Sequence, residues 1–269
     1  MSIQQEIIRK LGVQPTIDVE ADIRRRVDFL KTYVLDSGTS GLLIAISGGI
    51  DSSVAAGLCK RATDELTAET GKPYMTLGVF LPYGTQADIS DSYAVARAFE
   101  LEHTVEANIE DAVNEIALEV EHSLKGIHVN RHINQLTKGN IKARSRMVAQ
   151  YALASELNLL VVGTDHASEA IIGFYTKWGD GAVDITPLAS LNKRQVRLLA
   201  GALGVPQTVL DKAPSAGLWE GQTDEGELGI TYADNSDYLE GKTIAPEVAE
   251  KLEQHYRKTE HKRSPIPGI

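Results

Sequence analysis

Leu42-Leu43-Ile44-Ala45-Ile46-Ser47-Gly48-Gly49-Ile50-Asp51-Ser52-Ser53 passes from an apolar run through a Ser/Gly-rich turn into a helical pattern. Leu42 to Ile46 is short and continuously apolar, which reads as a buried strand. From Ser52 to Leu66, the residues Val54, Leu58, Ala62 and Leu66 recur at helical spacing. A Gly/Ser turn between such a strand and such a helix is an anion cradle. Gly48 and Gly49 let the backbone turn sharply and approach a ligand, while the free N–H groups and dipole of the helix attract phosphate oxygens. Ser47, Ser52 and Ser53 add hydroxyl donors. Asp51 would be repelled by phosphate unless a cation lay between them, so it is the candidate Mg²⁺ ligand. The plainer alternative is a helix-entry turn with Gly for geometry and Ser for capping. The full S-G-G-x-D-S string between strand and helix favours the cradle, and it lacks the Gly-Lys-Ser/Thr ending of the Walker type.

Working outward, helical spacing of Val19, Ile23, Val27, Leu30 and Val34 predicts a helix over 18–36 closed by Gly38. Strands are expected at 75–81, 103–107 and 159–162, with helices at 88–99, through Val113 to Leu124, and at 140–156. Further helices are expected at 191–203, 232–239 and 246–258, the last with Pro246 in its first turn. Residues 163–187 read as a Gly-, Asp- and Thr-rich loop, and Pro214 to Gly229 as a lid. Strands alternating with helices imply an α/β fold, a Rossmann-like parallel sheet with helices on both faces, whose ligands sit at the carboxyl ends of the strands. A chain of 269 residues without an obvious linker is expected to form one domain, 1–269.

Composition narrows the function. The formal net charge of −10 disfavours nucleic acid as a partner, because affinity for a phosphate backbone is built from clustered Lys and Arg. No apolar run approaches the roughly 20 residues of a membrane span. The start MSIQQEIIRKLG lacks the apolar stretch of a secretory signal, so no membrane association and a cytoplasmic location are expected. Cys59, the single cysteine, lies in an apolar helical stretch and reads as a buried thiol. Two basic clusters, Lys138 to Arg146 and His261-Lys262-Arg263, interrupt the acidic background; charge runs are most often solvated faces.

The loop resembles that of the pyrophosphate-loop, N-type ATP pyrophosphatases, which cleave ATP to AMP and pyrophosphate. Lys138-Gly139-Asn140-Ile141-Lys142-Ala143-Arg144-Ser145-Arg146-Met147, Gly163-Thr164-Asp165-His166-Ala167-Ser168-Glu169 and Tyr175-Thr176-Lys177-Trp178-Gly179-Asp180-Gly181 closely resemble segments of the ammonia-dependent NAD synthetase family. Pro187-Leu188, Asn192-Lys193-Arg194-Gln195, Asp237-Tyr238-Leu239-Glu240-Gly241 and Glu260-His261-Lys262-Arg263 extend the resemblance nearly end to end. It implies an adenine nucleotide alpha-hydrolase-like fold and a ligase that adenylates the nicotinate carboxylate of deamido-NAD, releases pyrophosphate, and lets ammonia form NAD. It further implies ATP contacts at Ile46, Ser47, Gly48, Gly49, Ile50, Asp51, Ser52, Ser53, Thr164, Lys193 and Ser215, and Mg²⁺ ligation by Asp51 and Glu169. Deamido-NAD contacts are implied at Arg144, Lys177, Asp184, His261 and Lys262, and the assembly implied is a homodimer.

The chemistry needs no Ser, Cys or His nucleophile, since Mg²⁺ and the loop donors stabilise the charge that builds at the α-phosphorus. Asp165 and Asp180 are candidate bases for ammonia, or loop hydrogen-bonding residues. Two departures from the family pattern stand out. Ser215 is followed by Ala216-Gly217 where many members have Thr-Ala-Asp, and Phe80 stands where many carry a basic residue. Among rivals, a tRNA-modifying pyrophosphatase would want a basic face or reactive cysteines, and a glutamine-dependent amidotransferase a further catalytic domain. A regulatory nucleotide sensor would have lost Asp51, Glu169 or its lysines. The helix at 18–36 is a candidate dimer interface, although core packing explains its apolar face equally well.

Overall fold

The computed structural model describes residues 2–86, 88–212 and 229–269. Gly41–Ala45 (β1), Met75–Phe80 (β2), His103–Glu106 (β3) and Leu160–Val162 (β4) form a wholly parallel sheet in the order β3-β2-β1-β4. Before β4 the chain also forms Ile3–Leu11 (α1), Val19–Ser37 (α2), Ile50–Thr70 (α3), Ile89–Ala98 (α4), Glu110–Gly126 (α5) and Gln135–Leu157 (α6). Ala167–Ile172 (α7), Lys193–Leu203 (α8), Gln207–Leu210 (α9), Tyr232–Leu239 (α10), Pro246–Lys258 (α11) and Glu260–Arg263 (α12) follow.

The central strand shows why the sheet is covered twice. Successive side chains of a strand point to opposite faces. Leu42 and Ile44 of β1 pack with Val27 and Leu30 of α2, Leu58 of α3 and Leu199 of α8. Leu43 faces the other way, into Leu77 and Val79 of β2, Val113 of α5 and Ala154 of α6. Each such leucine contributes about 1.5–3 kcal/mol by leaving water, and Cys59 lies buried in the first of these layers. A third cluster, with Ile7 of α1, Ile171 of α7, Tyr238 of α10 and Leu252 and Tyr256 of α11, ties the N-terminal helix to the C-terminal ones.

Boundaries differ from the sequence expectation mainly at helix ends. The helix expected from Ser52 begins at Ile50 and continues to Thr70, where Gly71 takes the left-handed conformation. The helix expected from residue 140 begins at Gln135, because the Asn134 side chain caps it by accepting from Thr137 N–H. Four helices of the described residues lie where none was expected, among them the short α9 and α12. α1 opens on a capping box in which Ser2 and Gln5 satisfy each other's backbone, and α7 interrupts the loop at 163–187. Among the described residues no helix is long and apolar enough to cross a membrane.

Candidate active site

The chain runs from β1 to β2 on one side, and after β3 crosses back to lay β4 on the other side of β1. The loops leaving β1 and β4 therefore diverge, opening a crevice at the carboxyl ends of the strands, where parallel sheets bind ligands. Residues 46–49 line one side and 163–169 the other.

On the β1 side, Gly48 has φ +76°, and a Cβ there would lie 3.0 Å from Asp91 Cβ and 3.2 Å from Ser92 N. Another residue would be strained in backbone and crowded against α4. Gly49 occupies the N-cap of α3 with no side-chain hydrogen bond, so the first-turn amides face the crevice uncapped. The hydroxyls are held by the loop itself: Ser52 and Ser53 donate to Gly49 O at 3.0 and 2.7 Å, and the Ser47 and Ser52 oxygens lie 3.1 Å apart. Ile46 and Ile50 are buried beneath the turn.

Asp51, one residue into α3, meets the β4 side. Lys193, first residue of α8, is 3% exposed, and its Nζ lies 2.9 and 2.7 Å from the two Asp51 oxygens. Its placement is over-determined. Asn192 caps α8 in a reciprocal pair with Gln195, Asn192 Nδ2 donates to Glu240 Oε1 at 3.0 Å, and Lys193 N donates to Ser168 Oγ at 3.0 Å. His166 is buried, with Nε2 3.4 Å from Asp51 Oδ1, 3.6 Å from Glu169 Oε2 and 3.5 Å from Lys193 Nζ. Its Nδ1 is a buried atom without a hydrogen-bond partner among the described residues. Thr164 borders the same loop, half-buried.

Four carboxylates crowd this crevice. Burial alone would raise the Asp51 carboxyl, but the Lys193 ammonium and His166 imidazole beside it hold it below the ordinary value. Glu169 goes the other way: burial, reinforced by Asp51 and Asp165, outweighs the pull of His166 and Lys193 and pushes it up to about 8. Burial also raises Asp165, with Asp180 and Asp51 adding to it, and raises Asp180 against the N–H of Thr176, which donates to Asp180 Oδ1 at 2.8 Å. Carboxylates this costly to ionise together ask for a cation. One ligand atom each from Asp51, His166 and Glu169 lies within 4.8 Å of the others. Two hard carboxylate oxygens opening toward a phosphate cradle suit Mg²⁺, which keeps most of its shell for water and phosphate.

A second group of predicted residues is knitted into a wall beside the crevice. Arg144 of α6 donates to Lys177 O at 3.1 Å, Lys177 Nζ to His261 O at 2.6 Å, and Lys262 Nζ to Gly173 O and Tyr175 O, each at 2.6 Å. Thr176 Oγ1 lies 3.0 Å from Asn140 Oδ1. The structure thus brings Arg144, Lys177, His261 and Lys262 together. Asp184 stands apart from them, its oxygens accepting from Val161 N–H at 2.7 Å and Tyr151 O–H at 3.0 Å. Phe80 ends β2 buried, edge-on to Tyr93 at 4.9 Å. Ser215, Gly217 and the expected lid up to 228 lie outside the described residues.

A family model described as NAD synthase matches residues 22–266. The chain belongs to the NAD synthase family. The NH(3)-dependent NAD(+) synthetase of Shewanella piezotolerans is 46% identical over 271 residues, 98% of either chain. Among solved structures, NAD+ synthetase from Burkholderia pseudomallei aligns with a TM-score of 0.83 at 36% identity, over 97% of this chain and 95% of its own. NMN synthetase from Francisella tularensis aligns with a TM-score of 0.82 at 34% identity, over 94% and 99%. The parallel α/β sheet with helices on both faces is the fold these NAD synthase relatives share.

His166 is the residue of this NAD synthase site that the sequence reading quoted without giving it a role. Its spacing from Glu169, three positions along a helical turn, was the available signal that both face one point. Tyr232, whose ring centroid lies 5.0 Å from Lys193 Nζ, gave no such signal.

Proposed function

We propose that the chain joins ammonia to the nicotinate carboxylate of deamido-NAD, cleaving ATP to AMP and pyrophosphate, through an acyl-adenylate. The observation that carries this is the convergence of Asp51, His166, Glu169 and Lys193 at the uncapped start of α3. A carboxylate is a poor electrophile. Its oxygen attacks the α-phosphorus and pyrophosphate leaves; ammonia then attacks the acyl carbon, AMP leaves, and a proton passes to a base. Residues 46–53, Thr164 and Lys193 hold the nucleotide phosphates, with Ser215 assigned beside them, and Asp51 and Glu169 hold Mg²⁺, which supplies charge neutralisation at the phosphates. Arg144, Lys177, His261 and Lys262 form the wall for the dinucleotide, with Asp184 bracing β4 behind it. Asp165 is the better-placed base, since Asp180 already accepts the Thr176 N–H whereas Asp165 makes no hydrogen bond among the described residues and its carboxyl is raised.

The assembly we propose is a homodimer. Exposed Ile116 and Val120 lie at i and i+4 on α5, with exposed Ile127 just past its end, and exposed Leu136 and Val148 belong to α6, the helix that carries Arg144. This face competes with Phe29, Tyr33 and Leu35 of α2. Small soluble substrates suit the cytoplasm.

The test is a pyrophosphate-release assay with ATP, Mg²⁺ and ammonium, offering deamido-NAD or nicotinate mononucleotide and following NAD with a coupled dehydrogenase. NAD and pyrophosphate should appear in equal amounts and only with every component present. Preference for the mononucleotide would reassign the substrate, and silence with both would sink the ligase reading.

A further inference from the structure

We propose that Lys193 is a resident cation: in the nucleotide-free protein its ammonium stands where the divalent metal will act on Asp51, and it hands the position over when phosphates arrive. The inference rests on Asp51 being a metal ligand, and goes beyond it by giving Lys193 two successive partners.

Four distances lead to it. Nζ lies 2.7 and 2.9 Å from the two Asp51 oxygens, so both acceptors of the proposed ligand are engaged by one donor. The same Nζ is 3.5 Å from His166 Nε2, which in turn is 3.6 Å from Glu169 Oε2. The ammonium therefore lies against two of the three residues, Asp51 and His166, whose ligand atoms converge with that of Glu169 within 4.8 Å. A metal bound to Asp51 at about 2.1 Å competes for that carboxylate with an ammonium in contact with both of its oxygens, because like charges at this separation repel. The repulsion is relieved when the ammonium moves.

Lys193 can. It begins α8, so its four-carbon stem pivots from a backbone that Asn192, Ser168 and Gln195 hold still. The uncapped start of α3 lies one residue from Asp51, so a phosphate there offers the displaced ammonium a new anion within reach. Without nucleotide, moving away from Asp51 would part a buried cation from the carboxylate that both its short contacts engage. Metal and nucleotide should accordingly bind as a unit, with Lys193 carrying the coupling between them.

The experiment titrates the nucleotide-free protein with Mn²⁺, following loss of the free-ion EPR signal. Lys193→Met should bind Mn²⁺ at least tenfold more tightly than the unaltered chain, although the same substitution weakens ATP. Lys193→Arg, which keeps the charge, should show no gain, and Lys193→Met with Asp51→Asn should lose it. Lys193→Gln serves as the neutral variant if the Met chain fails to fold. A folded neutral variant with unchanged or weaker Mn²⁺ binding overturns the handover. Tightening that survives Asp51→Asn places the metal elsewhere and overturns the ligand assignment as well. Binding of Mn²⁺ with α,β-methylene-ATP separates the two failures: Asp51→Asn should weaken it if Asp51 is a ligand, whatever Lys193 does.

Discussion

Asp51 is a stability residue as well as a site residue, because its partner is an ammonium that is almost wholly out of water. Asp51→Ala should abolish pyrophosphate release and also cost roughly 3 kcal/mol, since a buried charge left alone is far more costly than a pair removed together. Adding Lys193→Met to it should restore much of the stability in urea denaturation while activity stays absent; additive losses in the double variant would refute the pairing. Glu169 makes a pH prediction. Its folded-state value of about 8 lies above its ordinary 4.5. The protonated form is therefore favoured by folding, and its contribution is complete below about 4.5 and lost as pH rises through 8. Without metal, the urea midpoint should fall across that window and Glu169→Gln should flatten the fall; a midpoint equally steep in the variant would count against it. Asp51, Glu169 and Lys193 were legible in the sequence because a carboxylate in a phosphate loop, and a lysine and glutamate within family-like segments, carry their chemistry in their type. His166 was not, since its meaning depends on β4 lying beside β1.

The strands and long helices were readable at the scale of elements because their periodicity persists over two or more turns. α7 escaped notice as six residues between glycine-rich loops, too short for a periodic signal, and its packing through Ile171 decides its conformation. α1 could have been found from its Ser2 and Gln5 spacing with apolar Ile3, Ile7, Ile8 and Leu11. The start of α8 gives this scale its prediction. Asn192 accepts from Gln195 N–H at 2.9 Å and donates to Glu240. Asn192→Ala should cost about 1 kcal/mol from the lost cap alone and raise the KM for ATP, because Lys193 is the next residue. Loss of stability with an unchanged KM would show that the cap does not position the lysine.

For the whole molecule, the tail is part of the wall proposed for the dinucleotide. Arg263 donates to Ala170 O at 2.7 Å and to Tyr256 O, its guanidinium 4.0 Å from the Tyr256 ring centre, so α12 clamps α7 to α11. A chain ending at Thr259 should fold, lose at least tenfold in kcat/KM for deamido-NAD, and still bind ATP analogues. Equal losses toward both substrates, measured by calorimetry and steady-state rates, would mean that the tail supports the entire crevice. The sheet order was beyond sequence reading, since nothing in the strand sequences states on which side of β1 the last strand pairs.

That order has a temporal side. Asp51 and Lys193 are 142 positions apart, which a ribosome working at about 5–20 residues per second takes on the order of ten seconds to cover. For most of that interval the emerging polypeptide carries its glycine turn without any of the opposing groups; His166 and Glu169 follow late in it, and Lys193 comes last. The two sides of the crevice therefore cannot meet until the chain has been made past Lys193.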